Sequence, residues 1–556
     1  MRIVECVPNF SEGRDKKVID SIAEVISAVE GVELLDVDPG ASTNRTVVTF
    51  VGEPDQVVEA AFQAIARASA LIDMRQHHGA HPRMGATDVC PFIPVSNITM
   101  SECVELAKRL GQRVGKELAI PVYLYAEAAQ REDRTNLADV RQGEYEKLAE
   151  RMSDGFKPDF GPQQFNAAAG ATVIGARKFL IAYNVDLNTR SQKLANDIAL
   201  TIREAGRAKR DADGNIIKDA SGVSVKEPGI LPATKAVGWY VDEYQRAQIS
   251  INLVDYERTS MHQAFDECVK QAEKLGLRVT GSEVVGMVPL EPMLMAGRHY
   301  LAKQGRCTGV PESELVTCAI QSLGLSDVAP FDPDKKIIEY RIAPTEKLLR
   351  NLTVTAFVDE LSSESPAPGG GSVAALCGSL SVALSSMVAN LTHSKKGFEN
   401  SKDLMNNLAE RAQKLKAGFV RAIDEDTKAF NRIGEARQLP KDTDENKQRR
   451  DAAIEQANKE ATLVPLGVLE DALVAVELAE TVASKGNPNC LSDAGVAGLT
   501  ARAAADGAFY NVLINLPSVS DTSFTSDVKK RAVTAADEIR KRADALHQQV
   551  VAKLQS

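Results

Sequence analysis

The sequence predicts a multidomain protein: an α/β half made of two α/β subdomains, followed by an all-α helical bundle. Three observations carry this expectation. Short β-rich runs alternate with amphipathic helical runs up to about residue 325. Pro-marked segments follow at Asp327–Pro333 and Ala343–Pro344. From Glu346 onward the chain is rich in Ala, Leu, Glu and Lys, with almost no β-rich run. The boundaries drawn from this are 1–178 and 179–326 for the subdomains, 327–345 for a linker, and 346–556 for the helical domain.

In the first subdomain the patterns predict strands at Arg2–Val7, Val32–Val37, Thr46–Val51, Asp88–Ile93 and Ile120–Tyr125. Helices fall at Lys16–Val29, Gln56–Met74 and Ser101–Leu118. A second set follows, with strands at Lys178–Asn184, Val237–Val241, Ala247–Leu253 and Ser282–Pro289 and helices at Ser191–Glu204 and Ser260–Leu275. Between them Arg207–Thr234 is a polar, Gly-containing excursion. Its Asp211–Asn215 stretch lacks the terminal Glu of a calcium loop and reads as a surface hairpin. The helical domain is expected to hold helices near 347–362, 372–392, 399–434, 443–484, 492–514 and 525–554.

Composition removes several function classes. The chain is 44% hydrophobic and 26% charged, a globular balance. Aromatic residues are only 5%, with Trp239 the single Trp, and the net charge is −10. Neither a nucleic-acid surface nor an anionic membrane surface fits that. Residues 341–556 carry only −1 of the charge, so the first 340 carry −9. An anionic substrate therefore has to be met by local cations or helix N-termini. Eight scattered cysteines without a CxxC pair read as reduced thiols, and the N-terminus has no signal-type apolar run, so a cytoplasmic location is expected. Ser372–Leu391 is the most membrane-like stretch. Its five Ser and Asn390 favour a buried bundle helix over a membrane span.

Three of the seven His lie in His77-His78-Gly79-Ala80-His81-Pro82-Arg83. His77 and His81 have helical metal-ligand spacing, but Gly79 and Pro82 oppose helix and no acidic third ligand is near, so no metal is expected. A catalytic imidazole on a Gly/Pro-shaped loop is the sharper reading, and His81 is the best placed. A solvated His loop is the bland one. Asp38 ends a strand and Arg45 follows it. A carboxylate there orients an imidazole, or belongs to a solvated turn. Gly369-Gly370-Gly371-Ser372 opens a helix whose free N–H groups suit an anion; without a P-loop Lys it reads equally as a connector. Asp426 shares an i+3/i+4 stripe with Phe419, Ile423, Phe430 and Ile433, which turns its carboxyl toward a dry wall. Asn511 and Asn515, four apart in an apolar run, are either interhelical glue or ligand amides.

The stretches VECVPNFSEG, LLDVD, STNRT, HPRMGATDVCPFIPV, FGPQQF and GARKFLIAYN resemble glutamate formimidoyltransferase. SPAPGGGSVAAL, Asp424-Glu425-Asp426 and YNVLINL resemble formimidoyltetrahydrofolate cyclodeaminase. In that order, over nearly the whole chain, they resemble the bifunctional formimidoyltransferase–cyclodeaminase family. The resemblance implies transfer of a formimidoyl group between N-formimidoyl-L-glutamate and tetrahydrofolate. It then implies cyclisation of 5-formimidoyltetrahydrofolate to 5,10-methenyltetrahydrofolate with loss of ammonia, as in histidine breakdown. It places the transferase His on His81 and the cyclodeaminase Asp on Asp426. It places the folate loop on Gly161, Pro162, Gln163, Gln164, Phe165, Asn166, Ala167, Ala168, Ala169 and Gly170. It implies polyglutamylated tetrahydrofolate as a co-substrate, no permanently bound cofactor, and a ring-like homo-oligomer with paired deaminase halves. This loop lacks an aromatic of the mammalian pattern, and the Arg207–Thr234 excursion is longer. Lys395 and Lys396, with the Ser372 helix start, are candidate contacts for the folate tail. Two other readings remain at this point: a glutamate formyltransferase using 5-formyltetrahydrofolate, and a non-catalytic folate-binding scaffold.

Overall fold

Structural description covers residues 2–40, 44–79, 82–211, 213–219, 222–242, 244–342, 348–364 and 367–556 of a computed structural model. His81, Ala343, Pro344 and Glu346 lie outside the described residues. The chain divides into two compact units. One holds Met1–Pro292 and Leu323–Ala343, the other Met293–Ser322 and Pro344–Ser556.

The first unit follows the alternating pattern. Its early elements are β1 (Ile3–Cys6), β2 (Asn9–Phe10), α1 (Lys16–Ser27), β3 (Val32–Gly40), β4 (Arg45–Gly52), α2 (Pro54–Leu71), β5 (Thr87–Ser96), α3 (Met100–Glu117) and β6 (Val122–Ala126). Short helices α4 (Leu137–Val140) and α5 (Glu144–Ser153) and strand β7 (Thr172–Ala176) complete this set. The strands form one seven-stranded sheet in which β1 and β2 lie between β4 and β5, β3 is the outer partner of β4, and β7 and β6 extend β5 in parallel. Helices α1–α3 cover one face. Val4, Cys6, Phe50 and Phe92 point into that core, as alternation requires. The start of α3 is written in the sequence: Thr99 and Glu102 form a capping box.

The second set comprises β8 (Ile181–Leu187), α6 (Gln192–Ile202), β9 (Arg207–Ala208), β10 (Lys226–Glu227), β11 (Thr234–Val241), β12 (Arg246–Leu253), α7 (Met261–Lys274) and β13 (Val279–Val285). Its sheet runs β11-β12-β8-β13, all antiparallel. The excursion is a ladder of short bridges. The Asp211 carboxylate accepts the N–H groups of Asp213 and Asn215 at 3.0 and 2.8 Å, a turn satisfied by itself.

Helices α8 (Leu290–Lys303) and α9 (Glu312–Leu323) come next, then α10 (Pro333–Lys336) and α11 (Ile338–Arg341). The segment 293–322, assigned from the sequence to the second subdomain, belongs with the helical unit. Cys307 enters the bundle core, and the Asn406 side-chain oxygen accepts from Thr308 N and Oγ1 at 2.8 and 3.0 Å.

The bundle itself is α12 (Val354–Leu361), α13 (Gly370–His393), α14 (Lys402–Gln438), α15 (Asp444–Lys485), α16 (Leu491–Asn515) and α17 (Thr522–Gln555). Helix α13 packs against α14, α15 and α16. It is the one described helix long and apolar enough to cross a membrane, and here it is the bundle's inner helix. Its buried serines are satisfied internally: Ser381 Oγ donates to Ala497 O at 2.8 Å and Ser385 Oγ to Ser381 O at 3.0 Å. Small residues set the spacing. A β-carbon on Gly378 would lie 2.5 Å from the Phe419 ring of α14. Gly378→Val is therefore expected to destabilise the helical unit by about 1–3 kcal/mol, read as a lower urea midpoint at unchanged slope.

Candidate active sites

In the first unit the loop around the three His is pinned on both sides of its centre. The His77 ring sits with one nitrogen, Nε2, 2.8 Å from Asn44 O, and the other, Nδ1, accepts from Arg83 Nε at 3.2 Å. That assignment puts the proton on Nε2. Burial, with the Arg83 charge, holds this imidazole below its usual pKa, so His77 is neutral near pH 7. Both nitrogens are committed to the protein, which leaves none for a metal. Asn44 Nδ2 also donates to His78 O at 3.0 Å, and Asn44 Oδ1 accepts from Gly13 N at 3.0 Å. Arg83 continues to Glu144 and Glu146 at 3.0 and 2.6 Å. These contacts fix the residues flanking Ala80 and His81.

The loop Gly161–Gly170 is brought against the same place by its backbone. Ala86 N donates to Ala169 O at 2.9 Å, Ala171 N to Met84 O at 3.0 Å, and Met74 N to Ala168 O at 2.8 Å. Gly85 and Gly170 form a bridge, and a β-carbon on Gly170 would meet Met84 O at 2.2 Å. Gly170 also has a positive φ of 68°. Tyr145 Oη donates to Ala167 O at 2.6 Å, and its ring lies 5.5 Å from that of Phe165. Just upstream, Asp159 is clamped by the buried Arg134 at 2.6 Å. The structure thus joins the His loop and the small-residue loop, which the sequence left apart.

Asp38 is not part of this cluster of contacts. It lies exposed on the outer strand β3, opposite Val47. The buried carboxylate nearby is Asp88, which accepts from Met84 N at 3.0 Å and pairs with Arg141. Burial pushes its pKa up against the pull of Arg141. Arg45, beside both, is itself held below its usual pKa by burial. Sequence reasoning missed Asp88 and Arg141. The available signal was one carboxylate in the apolar run Thr87–Val95.

In the helical unit the glycine loop and the acidic turn converge. Asp426 Oδ2 accepts from Ser372 N at 3.0 Å and from Ser372 Oγ at 3.4 Å; that hydroxyl also lies 2.8 Å from Ile423 O. A β-carbon on Gly371 would stand 2.0 Å from the Asp426 carboxylate. Gly370 faces the Asn511 amide, whose Nδ2 is 3.4 Å from where its β-carbon would be. Gly369 caps α13. Asn511 Nδ2 donates to Gly507 O at 2.8 Å, and Asn515, one turn on, donates to Ala461 O at 2.8 Å. Asn515 lines a cleft of about 510 Å³ with Phe430, Asn458 and Arg437. Burial raises the Asp426 pKa, while the Ser372 N–H opposes this.

Two sequence inferences change. Phe430 is half exposed on the cleft wall, so the stripe through Asp426 is not dry throughout. Asp424 is also buried: Oδ1 accepts from Leu349 N at 2.7 Å and Oδ2 lies 3.4 Å from Arg350. Lys395 and Lys396 follow the opposite end of α13 from Ser372, about 35 Å away at helical rise. Lys395 donates to Asn487 Oδ1 at 2.5 Å. Ser372 and these lysines therefore do not contact one ligand end together within this unit. Among the described residues no group of three or more His, Cys, Asp or Glu side chains is arranged for a metal.

Residues 3–177 match the family described as formiminotransferase domain, N-terminal subdomain; 182–343 match formiminotransferase domain; and 353–534 match formiminotransferase-cyclodeaminase. A formimidoyltransferase-cyclodeaminase of Sus scrofa is 43% identical over 546 residues, 98% of this chain and 97% of that protein. A glutamate formimidoyltransferase of Streptococcus pyogenes serotype M1 is 40% identical over 301 residues, 54% of this chain and 93% of its own. A methenyltetrahydrofolate cyclohydrolase of Methylorubrum extorquens is 41% identical over 177 residues, 32% of this chain and 85% of its own. An α/β half followed by a helical bundle, each with its own polar centre, defines a two-part folate enzyme. The chain belongs to the formimidoyltransferase-cyclodeaminase family.

The glycine cradle of Asp426 gives a direct test. Gly371→Ala is expected to displace the carboxyl and lower ammonia release from 5-formimidoyltetrahydrofolate at least tenfold. Transfer by the first unit and the far-UV spectrum should stay as in wild type.

Proposed function

We propose that the chain is a bifunctional folate enzyme of histidine degradation in the cytoplasm. The first unit moves the formimidoyl group between N-formimidoyl-L-glutamate and tetrahydrofolate. N5 of the folate attacks the amidine carbon, the C–N bond to glutamate breaks, and His81 relays the proton to the departing nitrogen. An imidazole in that role contributes about 10²–10⁴-fold. The Gly161–Gly170 loop, tied to the His loop by backbone hydrogen bonds, is the folate contact. Tetrahydrofolate is a co-substrate here, with no cofactor held between turnovers.

In the second unit N10 attacks the formimidoyl carbon of the same molecule and ammonia leaves. Asp426 carries the proton. The observation that supports this role most is its cradle: a half-buried carboxyl on the free N–H of Ser372, in a space only glycine at 371 leaves open. Its pKa, raised by burial, suits a group that must both hold and release a proton. Asn511 borders the same space.

A second reading is favoured by the match to the cyclohydrolase. The helical unit would add water to the methenyl carbon of its own product, break the N5–C bond, and leave the 10-formyl compound. Following the loss of methenyl absorbance with purified protein decides it.

His81→Ala is expected to lower transfer at least a hundredfold and spare ammonia release, and Asp426→Asn to do the reverse. Mass-balance assay of both steps checks the pair. Parallel kinetics with N-formyl- and N-formimidoyl-glutamate separate formyl from formimidoyl transfer. A chain that binds folate without either reaction is the scaffold instead.

The helical halves also pair in this proposal, as in a ring-like homo-oligomer. Helices α13 and α16 pack on each other and leave Leu380, Met387, Leu391, Val496, Leu499 and Ile514 exposed. Leu499→Asp is expected to shift sedimentation toward smaller species, with an unchanged profile refuting this face.

A further inference from the structure

Helices α13 and α14 run antiparallel, and their seam can be followed step by step. Gln413 Nε2 donates to Ser386 Oγ at 3.0 Å, the Phe419 ring takes the place of a β-carbon on Gly378, and the Asp426 carboxyl takes that of one on Gly371. Since α13 begins at Gly370, this seam ends at the helical turn 423–427. Helix α14 runs on to Gln438, with Phe430 half exposed on the cleft wall. The turn that bears Asp426 therefore lies where the support of α13 runs out, and the margin of a packed seam opens more readily than its middle.

The free side of this turn is held by the segment that follows the linker. Residues 348–352 belong to the helical unit and include the 3-10 turn Leu349–Asn351. Leu348 is buried, and Leu349 and Leu352 pack on the bundle core. Leu349 N donates to Asp424 Oδ1 at 2.7 Å, and Arg350 Nη1 stands 3.4 Å from Asp424 Oδ2. Asp424 is only 4% exposed, and among the described residues Oδ2 accepts no hydrogen bond, so the Arg350 charge is what faces it. From the opposite side Ser372 grips the same turn, through Oγ to Ile423 O at 2.8 Å and through N to Asp426 Oδ2 at 3.0 Å. Asp424 and Asp426 are two residues apart, about 200° around the helix axis, so the two grips oppose each other. Beside Asp424 opens a cleft of about 490 Å³, whose described lining comes from α14 and this segment alone.

We propose that Asp424 and Arg350 are positioning residues for the release of ammonia: with the Leu349 N–H they clasp the end of the seam and hold the Asp426 carboxyl at the glycine start of α13. The inference rests on Asp426 as the proton carrier of the helical unit. Its fit leaves little slack, because the carboxyl stands where only a glycine at 371 leaves room. Asp426 has to take the proton that N10 loses and give it to the nitrogen that leaves as ammonia. A shift of the turn by about 1 Å misaligns it for both, and misplacement on that scale costs on the order of 10²-fold in rate. Asp424 points away from the Asp426 carboxyl, so its part is to place the turn and not to move the proton.

The test uses the full chain and added 5-formimidoyltetrahydrofolate. In a single turnover at equal, saturating concentrations, the amplitude of the methenyl absorbance counts intact sites and its rate constant reports the chemical step. Arg350→Ala is expected to lower that rate constant roughly tenfold at full amplitude, with the substrate KM unchanged, because positioning acts in the transition state. Arg350→Lys should restore most of it. Asp424→Asn keeps an acceptor for Leu349 N and should match Arg350→Ala, and the double variant should fall no further, since the two residues act as one pair. Transfer by the first unit should hold in every variant. A lowered amplitude at the wild-type rate constant marks a structural role and overturns the proposal. So does a rate constant within about twofold of wild type in Arg350→Ala, whose partly exposed side chain can be cut back without emptying the core. Asp426→Asn separates the two readings. If it stops ammonia release while Arg350→Ala does not slow it, only the clasp falls. If it releases ammonia as wild type does, the proton-carrier reading falls and the clasp with it.

Discussion

The carboxyl of Asp426 occupies the space that a β-carbon on residue 371 would fill, and the helical centre depends on that exclusion. A side chain at 371 cannot share 2.0 Å with an oxygen. Only glycine lets the first turn of α13 come close enough for Ser372 N to reach Asp426 at 3.0 Å. The same device recurs at Gly378, where the Phe419 ring enters the gap, so α13 and α14 approach along their length through missing side chains. In the first unit Gly85 and Gly170 meet backbone to backbone and weld two loops remote in sequence. Each polar centre is thus built where two segments come nearer than ordinary residues permit.

Close approach removes water, and its electrostatic consequences differ between the units. The Asp426 carboxyl is half buried with a single hydrogen-bonding partner residue, so desolvation outweighs stabilisation and its proton is held more tightly. The neighbouring Asp424, deeper still, has a backbone N–H and the Arg350 charge, the surroundings of a structural carboxylate. Two acids on one helical turn are given different chemistry by what faces them. His77 follows the same logic. An imidazole whose nitrogens are both engaged is a support for its loop.

Charge is arranged locally as well. The α/β half is strongly acidic, yet Arg177, Lys335, Lys336 and Arg341 gather in one cleft around the buried Glu5 carboxyl. Burial pushes the Glu5 pKa up to about 7 against the pull of Arg177, so the charge of this cluster changes near neutrality.

By itself the sequence determined the division into α/β and helical halves, because hydrophobic period switches from mixed to purely helical and local spacing records it. It also determined the glycine loop opening α13 and the inward Asp426, since both follow from helical geometry within a few residues. It missed β7, α5 and the placement of 293–322. Thr172–Ala176 is too short to signal a strand beside loops, and α8 and α9 have helical patterns that do not say which unit they cover. Asp38 and Asp88 show the limit most clearly. Both are carboxylates on strands. One faces outward on the outer strand β3; the other is sealed under Arg141 by helices and loops far away in the chain. Periodicity fixes which face a side chain takes. Only the tertiary structure decides what covers that face, and burial is what turns an ordinary acid into one with a shifted proton affinity.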